Sequence, residues 1–188
     1  MTGTRADTCA DTCADDAARA AHLRAGLRAS LLPIVEDLFT AMVDGEPGLL
    51  TPADGAGGSD GASAGDVRAR VDIVGPHPSR LAVTTARPTA ERLARALLQL
   101  GDDDRVTPDD VHDALGEVAN VVGGNLKGTL PEGASLTLPV VDVVDVVDVV
   151  DGARAPDDPR RGAHHQHLLW RGSPLVLSLW TPMNGEQL

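Results

Sequence analysis

Hydrophobic positions along the chain change period several times, and each change marks an element. Leu23, Leu27, Leu31, Ile34, Leu38 and Met42 recur at three- and four-residue steps, the spacing of a helix with one apolar face. Pro33 interrupts that pattern. It either kinks one helix or sits in the first turn of a second, capped near Ser30. Asp44-Gly45 closes the element, and Pro52 to Gly65, rich in Gly, Ala, Asp and Ser, reads as a loop. Val67, Ala69, Val71 and Ile73 then alternate with Arg68, Arg70 and Asp72, the period of a half-buried strand. Gly75-Pro76-His77-Pro78 turns the chain, and Leu81, Val83 and Thr85 resume the alternation, which predicts a hairpin. Leu93, Ala96, Leu97 and Leu100 predict a helix from Thr89 to Leu100, ending at Gly101. Thr107-Pro108-Asp109-Asp110 is a helix start: a hydroxyl cap, a proline in the first turn and two acids facing the positive end of the helix dipole. That helix should run to about Lys127. Leu136, Leu138 and Val140 alternate as a strand, and 165–171 and 174–181 fit two more around Gly172-Ser173-Pro174.

Two segments break these periods. Residues 1–20 repeat Ala-Asp-Thr-Cys in tandem and carry no large apolar side chain, so they read as a low-complexity tail ahead of one domain, 21–185. Cys9 and Cys13 are copies within that repeat. A metal pair at i, i+4 is the sharper reading, but no nearby His or Cys completes it. Residues 140–151 spell Val-Val-Asp four times, a period of three that suits neither strand nor amphipathic helix. Residues 140–163 therefore read as an inserted low-complexity loop with only its first residues in a sheet. Evenly spaced aspartates suggest calcium, but the glycine and terminal glutamate of a calcium loop are missing.

Charge narrows the function. The chain has 188 residues, 16 Lys+Arg against 28 Asp+Glu and a net charge of −12, with aromatics at only 2%. Nucleic-acid binding needs phosphate-neutralising cations and stacking aromatics, and both are scarce. A membrane-surface role fails on the same charge, and no apolar run approaches a spanning helix. No basic start followed by an apolar stretch marks a secretory signal, so a cytoplasmic protein is expected.

The helix predicted over 108–127 divides sharply on a wheel. Val111, Leu115, Val118, Val122 and Leu126 form the core stripe, with Ala119 at its edge. Asp113, Glu117, Asn120, Gly124 and Lys127 gather on the opposite side, with Glu117 and Asn120 one turn apart. Gly123 and Gly124 each cost about 1 kcal/mol of helix stability relative to Ala, tolerated where a backbone or partner must come close. Spacing alone also fits an ordinary solvated face.

The stretch Asp113-Ala114-Leu115-Gly116-Glu117-Val118-Ala119-Asn120-Val121-Val122-Gly123-Gly124-Asn125-Leu126-Lys127 resembles the motif helix of the CheC/CheX family, phosphatases of the phosphorylated chemotaxis response regulator CheY. Leu138-Pro139-Val140-Val141 resembles the strand after that helix, and the element order matches over roughly 30–182. The leading helix offers Glu36-Asp37-Leu38-Phe39, with Phe where a second motif needs Asn, so one site per chain is expected, as in CheX-type proteins. The resemblance implies an α+β, CheX-like fold: an antiparallel sheet packed against helices, one of them the long motif helix. It implies catalytic roles for Glu117 and Asn120, with Asp113, Gly123, Gly124 and Lys127 meeting the partner. That partner would be a phosphorylated CheY-like receiver domain supplying its own magnesium, the chain itself holding no metal or cofactor. A homodimer formed through sheet edges is also implied. The alternative is a non-catalytic receiver-binding adaptor, as in flagellar-switch relatives.

His164-His165-Gln166-His167 is the other cluster. On a strand, His165 and His167 would share a face at a zinc-compatible spacing, but no carboxylate or Cys is paired with them, and a loop running into Leu168-Leu169-Trp170 explains them as well. Trp170 and Trp180 read as core or dimer contacts. Nucleophile-elbow, P-loop and dinucleotide motifs do not occur.

Overall fold

A computed structural model describes residues 7–53, 62–101, 103–144 and 164–181, with side chains from residue 18 onward. Helix α1 spans Asp7–Leu38 and continues into a wider π-helical turn, Phe39–Asp44. It thus starts within the segment read as a tail. Of the two readings at Pro33, one helix or the start of a second, the structure has one helix running through it. Leu31 and Val35, on either side of Pro33, are fully buried, so packing offsets the lost backbone hydrogen bond. The Ser30 hydroxyl does not cap a second helix; it donates to the Gly26 carbonyl at 3.0 Å.

The π-helical turn adds a residue to its turn and moves the apolar stripe. Leu27, Leu31, Val35, Leu38, Phe39 and Val43 are buried, whereas Ile34 is half-buried and Met42 is exposed. Asp44 pins the end of this turn. Its carboxylate accepts from Trp170 Nε1 at 3.0 Å and from Arg171 Nε at 2.9 Å.

Among the described residues, seven strands form one antiparallel sheet: β1 (Leu50–Pro52), β2 (Val67–Val74), β3 (Ser79–Thr85), β4 (Ser135–Leu136), β5 (Val140–Val143), β6 (His164–Trp170) and β7 (Ser173–Trp180). Their order is β1-β6-β7-β3-β2, with β4 and β5 both pairing β2 as the outer edge. β1 escapes the sequence pattern because three residues carry no period. The β6–β7 connection is two residues, Arg171 and Gly172, both at positive φ (48° and 75°), the geometry of a tight hairpin turn.

The single strand expected around Leu136–Val140 is broken by a bulge. Ile73 pairs with Leu136 and Arg70 with Val140, so β2 advances three residues while the outer strand advances four. Thr137 bridges the step, its N–H donating to the Asp72 carbonyl and its hydroxyl accepting from the Asp72 N–H, both at 2.9 Å. Leu138 is consequently 85% exposed. β5 takes up the first residues of the Val-Val-Asp run, and 145–163 lie outside the described residues.

Helices α2 (Arg87–Leu97) and α3 (Pro108–Gly128) complete the fold. α2 ends three residues earlier than expected, and the left-handed residue after it is Gln99 (φ 53°), not Gly101. α3 packs against α1, α2, β2 and β3. The core lies between these helices and the face of the sheet bearing Val67, Ala69, Val71, Ile73, Leu81, Val83, Leu175, Leu177 and Leu179. Leu168 and Trp170 extend it, and Phe39 meets Trp170 edge to face at 5.9 Å. No helix among the described residues is long and apolar enough to cross a membrane.

Candidate functional site

The site begins with the start of α3. Thr107 caps the helix by accepting from the Asp110 N–H at 3.2 Å, and the Asp110 carboxylate accepts from the Thr107 N–H at 2.7 Å. The Thr107 hydroxyl and N–H together hold the Asp110 carboxyl below its ordinary value. The cap fixes where the helix starts, and the apolar stripe fixes its rotation against the core. Val111, Ala114, Leu115, Val118, Ala119, Val122 and Leu126 are then all buried.

The opposite face follows from that anchoring. Asp113, Glu117 and Asn120 are exposed, and Gly124 and Lys127 are partly exposed. Among the described residues, the Glu117 and Asn120 side chains make no hydrogen bond or ion pair, so both present their full donor and acceptor sets outward. Gly123 does not share this face. It is buried against the sheet, where an added Cβ would lie 2.7 Å from Val71 Cγ2 and 3.1 Å from Leu136 Cδ1. Its lack of a side chain lets α3 settle on β2 and β4. Gly124 has open space beside it. Gly116 packs on Pro139, whose Cγ lies 3.5 Å from where a Cβ would stand.

A groove of about 660 Å³ runs beside Glu117. Met42, Leu98 and Pro139 give it apolar walls, and Gln99, His112 and Asp113 a polar rim. Of these flanking residues, sequence reasoning named Asp113 as a site residue and missed the others. Met42 reaches the groove because the π-helical turn rotates it out of the core, and Pro139 because the bulge lays it over Gly116; neither shift leaves a period in the sequence. The histidine cluster lies on β6. The His165 and His167 rings share a face, 6.4 Å apart, and His165 Nδ1 is 2.9 Å from Ser178 Oγ. Burial and the nearby Arg28 lower the His164 pKa. Among the described residues, no group of three or more His, Cys, Asp or Glu is placed to hold a metal ion. Cys9 and Cys13 lie where side chains are not described.

An antiparallel sheet with helices on its core face and a polar pair on one helix defines the class to which comparison points. The family model described as chemotaxis phosphatase CheX matches residues 67–146, a span holding all of α3 and the bulged strand. Solved structures agree on the fold. A protein from Desulfovibrio vulgaris Hildenborough aligns at TM-score 0.62 and 20% identity, covering 84% of this chain and 97% of its own. The chemotaxis protein CheX from Vibrio vulnificus aligns at 0.58 and 17%, covering 81% and 93%. CheX in the CheX-CheY-BeF3-Mg complex from Borrelia burgdorferi aligns at 0.55 and 15%, covering 81% and 96%. No curated protein sequence matches. The chain is CheX-like, with an α+β fold of the CheX type.

Proposed function

We propose that this protein is a phosphatase of a phosphorylated CheY-like receiver domain, with Glu117 and Asn120 entering the receiver's phosphorylation site from α3. The observation that carries the reading is the pair itself: two exposed side chains one turn apart, without internal partners, on a helix held rigidly by its buried face. The CheX family match spans both residues, and the Borrelia relative was solved together with CheY.

Hydrolysis of an aspartyl phosphate needs water in line with the phosphorus–oxygen bond. Water attacks phosphorus, that bond breaks, and the aspartate leaves as carboxylate. Catalysis of such a transfer is mostly positioning and electrostatics. The Asn120 carboxamide oxygen accepts from the water and adds no negative charge against the phosphoryl group. Glu117 pairs with a receiver lysine and fixes the register. The groove beside Glu117 takes apolar side chains of the receiver against Met42, Leu98 and Pro139. Asp113, Gly124 and Lys127 border the contact, and Gly123 supports it from behind. Magnesium in this reading is the receiver's own, and the chain works in the cytoplasm as a homodimer joined at sheet edges.

The test compares decay of a phosphorylated receiver from the same genome with no addition, with this protein and with Asn120→Ala. Acceleration by the parent, lost by at least about a hundredfold in Asn120→Ala with binding retained, is the expected result. Binding without acceleration by the parent would make the protein an adaptor. Neither binding nor acceleration overturns the reading.

A further inference from the structure

A second cavity, of about 410 Å³, opens on the other side of Gln99, between α2, the π-helical turn and the β6–β7 hairpin. It is cationic in a chain of net charge −12. Arg92, Arg95 and Arg171 line it over an apolar floor that includes Val43, Leu100 and Trp170. Arg171 is neutralised by Asp44, with Nη2 2.8 Å from Oδ1, and its guanidinium stacks over the Trp170 ring at 5.5 Å. The other two arginines have no carboxylate partner among the described residues. Arg92 donates to the hydroxyls of Thr89, at 3.3 Å, and Ser173. Arg95 donates to the carbonyls of Gly101 and Asp104, the latter at 2.6 Å. Among the described residues the carboxylate paired within this group is Asp44, on Arg171, while the nearby Asp104 carboxylate bonds the Gly101 N–H, so no carboxylate bonds Arg92 or Arg95. Their neutral partners fix the guanidiniums without neutralising them, and planar guanidinium forks suit the oxygens of phosphate or carboxylate.

We propose that this cavity binds a small organic oxyanion: a phosphate or carboxylate group held by Arg92 and Arg95, with an apolar or aromatic body against Trp170, Val43 and Leu100. The site is separate from Glu117 and Asn120, so it stands whether or not the phosphatase reading holds.

Phenyl phosphate is the probe, with inorganic phosphate beside it, and Trp170 supplies the fluorescence readout. The full chain should show a saturable change with phenyl phosphate. Inorganic phosphate, lacking the apolar body, should bind more weakly. Arg92→Gln and Arg92→Glu should each weaken phenyl phosphate binding by at least about tenfold, the loss of a charge-assisted hydrogen bond. Arg92 contacts only hydroxyls, so unchanged circular dichroism and melting in its variants separate lost binding from lost folding. Arg95→Gln should act in the same direction. The proposal is overturned by no saturable change up to about 10 mM phenyl phosphate, or by variants at Arg92 that bind as the parent does.

Discussion

The two adjacent glycines of α3 separate packing from exposure at the scale of single residues. Both sit inside a helix, where Gly→Ala gains about 1 kcal/mol by propensity alone. Gly124 has open space where a Cβ would go, so Gly124→Ala should raise stability by about 0.5–1 kcal/mol. Gly123→Ala drives a methyl to within 2.7 Å of Val71, a side chain 1% exposed and unable to withdraw. Overpacking of this kind costs about 1–3 kcal/mol, which exceeds the propensity gain. Gly123→Ala should therefore lower stability. Parallel urea melts of the two variants decide it: shifts of opposite sign are expected, and a stabilised Gly123→Ala would show that the helix can lift from the sheet freely.

At the scale of elements, the capping box of α3 ties stability to pH. Asp110 keeps a lowered pKa only while folded, through the Thr107 hydroxyl and N–H. A depressed carboxylate pKa contributes stability above its unfolded value, near 4, and that contribution fades as pH falls through the folded value. Thr107→Ala should cost about 1 kcal/mol at neutral pH, with the difference from the parent narrowing below about pH 4. Thermal melts of both proteins across that range test this, and a pH-independent gap would remove Asp110 from the cap. This helix was the most legible element in the sequence, because cap, stripe and polar face all agree within 21 residues. The wheel placed Glu117 and Asn120 on the outward face, but spacing alone fits a solvated face there, and the pair was singled out by the resemblance to the CheC/CheX motif helix. Elements that depend on an inserted residue were not legible. The π-helical turn and the bulge at Thr137–Pro139 each shift a stripe by one position, and nothing local in the sequence marks where the ladder slips. Pro33 left two readings open in the sequence, and the burial of Leu31 and Val35 on either side of it favours the single helix.

For the whole molecule, the open questions are which edge of the sheet can join a second copy and what charge does to that encounter. β1 is three residues long and ends in Pro52, which has no N–H to offer, so that edge is blunted. The other edge is β5, with Val140 48% and Val143 51% exposed, next to the outward Leu138. An edge of this kind, apolar and unpaired on its outer side among the described strands, is a template for strand addition. Each copy carries −12, so two copies repel over a range that salt shortens to about 8 Å at physiological ionic strength. A dimer held by β5 edges should therefore tighten as salt rises, since its contacts are apolar and backbone while its long-range charge term opposes assembly. Val143→Lys should weaken it at every salt concentration by adding two lysines to one two-fold contact. Sedimentation equilibrium of parent and variant at about 50 mM and about 500 mM salt measures both effects. A monomer at both concentrations would remove the edge as an interface. A dimer that loosens with salt would place the contact on charged groups elsewhere.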